Sequence, residues 1–201
     1  MKSVIITGKR VTKESPRKGR EDHELWGVTR INHFYWNEKL TDWTRWFDLH
    51  PMKSTPHYPG IAKLRPITLD WYRRQDASRP IYLFQTYPDI PGSVVFPVEK
   101  VLERFPPGKF FYTCQVDYMI AFAILEGFEK IVLNGIGVRD DQRYLENHKG
   151  ILFWVGVARG MGIDVEIDEP SVYIASPLLY GYEDSPRVRR VAQVPAHPAT
   201  R

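Results

Sequence analysis

Cysteine is almost absent from this chain: Cys114 is the only one in 201 residues. A single thiol cannot close an intrachain disulfide, which points to a reducing, cytoplasmic setting. No run approaches the roughly 20 apolar residues that a bilayer span needs, so no membrane partner is expected. The opening, MKSVIITGKRV, has too short an apolar stretch for a signal peptide and reads as a first strand. Several catalytic signatures are missing, among them CxxC, HExxH, GxSxG and Walker A. No helix-turn-helix, zinc-finger or RNP pattern points to direct reading of bases. Gly8 and Gly19 stand eleven residues apart, which matches neither GxGxxG nor a P-loop. There is no internal repeat.

What is present is an ordinary globular composition, 43% hydrophobic and 26% charged, in a chain long enough for a real core. The residues from 1 to 182 read as one domain, followed by a basic, Pro-rich tail over 183–201 with little to bury. Net charge is +4 and the pI about 9.1. Much of that charge sits in 9–20 and 187–201, which are either solvated segments or contacts for the phosphates of a nucleotide or nucleic acid.

The most informative stretch is FFYTCQVDYMIAFAILEGFEKIVLNGIGV, residues 110–138. Val116, Met119, Ile120, Ala123 and Ile124 recur with helical spacing and predict one apolar stripe. Thr113 is the predicted N-cap, and Gly127 stands where a C′ glycine closes a helix. Residues 130–134 then read as a buried strand ending at Gly135-Ile136-Gly137.

Elsewhere, 3–8, 24–32, a short run at Trp46, Phe47 and Leu49, 81–85, 94–96 and 163–167 read as strands. Residues 67–75, 98–105 and 151–162 read as helices, with 139–150 as a polar connection, either a solvated loop or helix start or a cluster (Asp140, Asp141, Glu146, His148) for a hydrated cation. Strands alternating with helices predict an α/β chain: a Rossmann-like three-layer sandwich with a mostly parallel sheet. In such sheets ligands bind beyond the carboxyl ends of strands and near helix N-termini.

That rule picks out the candidate site. Asp48 and His50 end the third strand, where an acid and an imidazole suit catalysis or metal contact, or a hydrogen-bonded corner. Thr113 and Cys114 lie at the central helix start, and Gly135 and Gly137 after the central strand. Gly8 and Lys9 follow strand one, and Asn32 ends strand two. Asp48, with Asp140 or Asp141, is the candidate ligand set for Mg²⁺. Trp26, Tyr35 and Trp36 are candidate stacking platforms for a flat heterocycle, or packing residues. Cys114 at a helix N-terminus is either nucleophilic or a buried small residue.

The succession ELWGVTRIN (24–32), WTRWFDLHP (43–51), FPVEKVLERF (96–105), residues 112–138 and VGVARGMGIDVEI (155–167) resembles a known group. These are small Rossmann-like proteins of phages and bacteria related to the 6-hydroxymethylpterin diphosphokinase MptE-like group, distantly similar to sialyltransferase-like proteins. The resemblance covers about residues 3–175. It implies a Rossmann-like fold and a nucleotide-dependent transferase. The co-substrate would be a nucleoside di- or triphosphate or a nucleotide sugar, with Mg²⁺ as cofactor. The acceptor would be a small heterocycle, a sugar or a modified base. It places Thr113 and Cys114 against a nucleotide phosphate, and Asp48 and His50 in a DxHP element. Where relatives carry an acid after the central strand, this chain has Gly137.

Three functional readings follow. The first is a transferase, cytoplasmic and in the host cytoplasm if phage-encoded. The second is a non-catalytic binder of a nucleotide or nucleotide-derived signal. The third is a nucleic-acid-associated accessory protein. A homo-oligomer is compatible with each.

Overall fold

In the computed structural model, residues 1–8, 15–28, 40–51, 66–136 and 142–168 are described; for 66–67 and 142–146 the description stops at the helical backbone. The elements are β1 (Ser3–Thr7), β2 (Glu24–Val28), β3 (Arg45–Asp48), α1 (Pro66–Arg73), β4 (Ile81–Leu83), β5 (Ser93–Val95), α2 (Val98–Arg104), α3 (Gln115–Leu125), β6 (Lys130–Asn134), α4 (Gln142–Gly160) and β7 (Asp164–Asp168). These elements lie in one compact unit, Met1–Glu169. The tail expected from residue 183 lies outside the described residues.

The β-branched and apolar runs at the centre of the sheet become strands that are buried on both faces. Every residue of β1 is buried, as are the last four of β2 and of β6. The seven strands form one sheet in the order β5-β4-β3-β2-β1-β6-β7. All six pairings are parallel, so every strand's carboxyl end lies on one rim. The chain steps outward from β1 to β5, then returns to place β6 on the other side of β1. The sheet therefore reverses direction between β1 and β6. The expected α/β architecture is present, with a sheet that is wholly parallel among the described residues.

Helices cover both faces. Trp46 and Phe47 are neighbours on β3 and so point to opposite sides. The Trp46 ring meets Trp71 of α1 at 4.6 Å between centroids. The Phe47 ring meets Phe122 of α3 at 6.4 Å. The α1 side is filled by Leu25, Trp43, Trp46, Trp71, Ile81 and Leu83, all buried. On the other side Trp26 lies 4.9 Å from Phe47 and 5.3 Å from Phe128. Burying one such phenylalanine contributes on the order of 1.5–3 kcal/mol.

Two expectations shift. The cap of α3 is Cys114, one residue later than expected, and Thr113 precedes it. The helix is buried almost all round, from Val116 to Ile124 with only Tyr118 partly exposed, because α2 and α4 pack on it as well as the sheet. Gly127 closes it at φ +73°, as its position suggested. The last long helix begins at Gln142, nine residues before the expected 151. The polar residues 142–149 form its first two turns instead of a connection, since helix formation tolerates polar residues where no apolar face is required.

Candidate functional site

Parallel pairing brings the carboxyl ends of β3, β1 and β6 to one rim. Asp48 ends β3, Gly8 follows β1 and Gly135 follows β6. The N-terminus of α3 reaches the same rim, because the Gln115 side chain accepts a hydrogen bond from the Leu49 amide at 3.3 Å. The sequence-predicted residues fall there into three groups.

The first is built on Asp48. β3 ends at Asp48, and the chain bends at His50 so that both the amide and the ring of His50 come back to the Asp48 carboxylate. Asp48 Oδ1 lies 2.5 Å from His50 Nδ1, and Oδ2 accepts from the Tyr72 hydroxyl at 2.5 Å. The His50 amide also approaches Oδ1 at 3.4 Å. Asp48 is 0% exposed, whereas the His50 side chain keeps 21% of its surface. A buried carboxylate costs several kcal/mol unless hydrogen-bonded, and these partners satisfy it. The Tyr87 phenol is pushed up by burial and secondarily by the charge of Asp48. The arrangement can orient an imidazole.

The second group is the helix start. Asp117, at the third position of α3, turns its buried carboxylate back over the cap. Its Oδ2 accepts from Thr113 N at 2.6 Å, Thr113 Oγ1 at 2.8 Å and Cys114 N at 3.1 Å. The amides expected to receive a phosphate are thus engaged by the chain's own carboxylate. Burial pushes Asp117 above the usual carboxylate range, against the opposing pull of those donors. Burial, with the Asp117 charge, also raises the Cys114 thiol to about 12. The nucleophilic reading of Cys114 is therefore corrected: the thiol stays protonated at neutral pH, since desolvation outweighs its place at a helix start. Gly150 of α4 roofs this corner and has no room for a side chain against Thr113 and Asp117.

The third group is the reversal point. The Gly8 amide donates to the Asn134 carbonyl at 2.7 Å. A Cβ on Gly8 would lie 2.5 Å from the Gly135 carbonyl oxygen, so glycine is required for this close approach. Beside it the last residues of three strands, Thr7, Asn134 and Asp168, are register partners. The Thr7 hydroxyl donates to Asn134 Oδ1 at 3.3 Å, and Asn134 Nδ2 donates to Asp168 at 3.3 Å. Arg20 completes the row, bonded to both Asp168 oxygens and to Glu166. Burial opposes ionisation of Asp168, but the Arg20 and Asn134 bonds prevail and hold it below the usual range.

Asp48 is separated from the Gly135 loop by β2 and β1, three strand spacings or about 14 Å. Lys9, Asn32, Gly137, Asp140 and Asp141 lie outside the described residues. Asp48 does not fit as a magnesium ligand, because both oxygens are hydrogen-bonded and no surface is exposed. Among the described residues no group of three or more His, Cys, Asp or Glu side chains is placed to hold a metal. Of the two readings of Trp26, the packing one holds: it is a core residue at 0% exposure and no stacking platform. Tyr35 and Trp36 lie outside the described residues.

Sequence reasoning missed Tyr72, Asp117 and the row from Thr7 to Arg20. Only Asp117 had a local signal, an acid three residues after the cap. No described helix is long and apolar enough to cross a membrane. Comparison with protein-family models, curated proteins and solved structures finds no match.

Proposed function

We propose that this chain is a nucleotide-using transferase in which His50, oriented by Asp48, is the general base. The carrying observation is the 2.5 Å approach of His50 Nδ1 to a wholly buried carboxylate on the carboxyl rim. The β1–β6 reversal supports a nucleotide on the same rim, since ligands of open α/β sheets bind at such switch points. Gly8 lets the turns that follow β1 and β6 approach closely at this point. The resemblance to the MptE-like group agrees with this reaction class.

In the proposed step an acceptor hydroxyl or ring N–H gives its proton to His50 Nε2. The freed lone pair forms a bond to the transferred phosphoryl or glycosyl centre. The bond from that centre to the nucleotide leaving group breaks, and its electron pair departs on the leaving oxygen. No step runs through magnesium, because Asp48 is already committed to His50 and Tyr72. A general base contributes about 10²–10⁴-fold. Thermal-shift screening with nucleoside di- and triphosphates, nucleotide sugars and pterins should find a ligand, and product analysis should find transfer. His50→Gln is expected to lower kcat by about 10²-fold or more with the melting temperature retained. Unchanged turnover in that variant removes His50 from the mechanism.

A second reading, a non-catalytic nucleotide binder, is favoured by one observation. Asp117 occupies the α3 donors that a transferred phosphate would use. Binding in the thermal-shift screen with no product formed would select it.

A further inference from the structure

The Asp48 carboxylate has two oxygens, and the general-base reading uses one. The other is held from α1, on a different segment of the chain: the Tyr72 hydroxyl donates to Oδ2 at 2.5 Å, with both residues 0% exposed. We infer that Tyr72 is a positioning residue, which locks the Asp48 carboxylate so that Oδ1 faces His50 and the neutral imidazole carries its proton on Nδ1. This rests on the functional reading above and specifies how that site is set.

The argument is geometric. A carboxylate turns about its last torsion within a broad, two-fold well. Donors on both oxygens fix that torsion, whereas the His50 ring and amide, both on Oδ1, leave it free to rock. Tyr72 can act as a fixed post because its own ring is immobilised. It packs against Trp71 at 5.5 Å between centroids and lies within the core that includes Trp46 and Leu83. With Oδ1 presented to Nδ1, the ring must donate there, because an ionised carboxylate only accepts. The basic nitrogen is then Nε2, the one a base needs. Among the described residues, the charged and titratable groups around Asp48 include His50 and Tyr72, in direct contact, and the Tyr87 phenol, which senses its charge.

The test is nitrogen NMR of the full-length, ligand-free chain labelled in histidine. Signals of the six histidines are sorted by their loss in His50→Gln. In the wild type, neutral His50 is expected as the Nδ1–H tautomer, with a sharp downfield Nδ1 proton. In Tyr72→Phe, which keeps the packed ring, a mixture of tautomers and a broadened or missing Nδ1 proton are expected. Once a substrate is in hand, kcat should fall about tenfold to a hundredfold with KM little changed. A Tyr72→Phe spectrum identical to the wild type overturns the inference, as does a wild-type ring protonated on Nε2. If Tyr72→Phe does not fold, site-specific 3-fluorotyrosine at position 72 strengthens the donor and should move the Nδ1 proton resonance. An unmoved resonance overturns the inference. The NMR arm needs no substrate. Lack of turnover in the wild type would therefore refute the functional reading while the tautomer result stands or falls separately.

Discussion

Removing Asp117 tests whether an internal carboxylate occupies the start of α3. In Asp117→Ala, the amides of Thr113 and Cys114 lose their acceptor, and so does the Thr113 hydroxyl. The hydroxyl is only partly buried and can turn to another partner. The two amides cannot, and each unsatisfied donor costs about 1–3 kcal/mol. The expected loss is therefore about 3 kcal/mol, or roughly 6–12 °C in melting temperature for a chain of this size. Asp117→Asn keeps a carbonyl acceptor at the same place and should cost about 1 kcal/mol or less.

The pair also carries a pH signature. Asp117 sits above the usual carboxylate range, chiefly through desolvation. The folded state then binds more protons than the unfolded state above about pH 4, so the ionising residue lowers stability as pH rises through its folded value. Asn cannot ionise, so wild type should lose ground to Asp117→Asn across that window. Urea denaturation at a series of pH values reads both effects. An Asp117→Ala protein melting within about 1–2 °C of wild type would refute the account, because two part-buried amides that lose their acceptor should cost more than that.

Other expectations can be checked alongside. Gly150→Ala should destabilise by about 1–3 kcal/mol, measured by denaturation, because its methyl would enter the space of Thr113 and Asp117. Gly8→Ala should lower the melting temperature and weaken any ligand stabilisation in the same scan, because its Cβ would lie 2.5 Å from the Gly135 carbonyl oxygen. Cys114, raised to about 12, should react with thiol reagents at pH 8 only at a small fraction of the free-thiol rate; rapid labelling of the folded chain would contradict this. Asp168 is held below the usual range by Arg20 and Asn134 against the cost of burial. Its contribution should be intact above about pH 4 and lost as pH falls through the folded value. Asp168→Asn should abolish that acid-side loss in a denaturation series.

Much of the architecture was legible because strand and helix periods are local. The apolar run Ser3–Thr7 and the alternation through β7 placed every strand to within a few residues. Asp48 and His50 were legible as a pair because they stand two residues apart at the end of β3. The start of α4 was not, since residues 142–149 carry no apolar stripe and their helical state depends on continuation into the buried Ile151, Trp154, Val155 and Ala158. The occupied cap was half legible: the acid at 117 was visible, but its burial under Gly150 was not.

The sequence by itself determined the order of elements, the glycine after β1 and the acid–imidazole spacing at the end of β3. Tertiary structure decided which partners those groups meet. Tyr72 stands 24 residues from Asp48, and Arg20 stands 148 from Asp168. No periodicity reports such distances, because they are set by which helix docks on which face and where the sheet reverses. The physical reason is that a hydrogen bond is decided by position within about 3 Å, whereas a sequence pattern fixes only direction along an element.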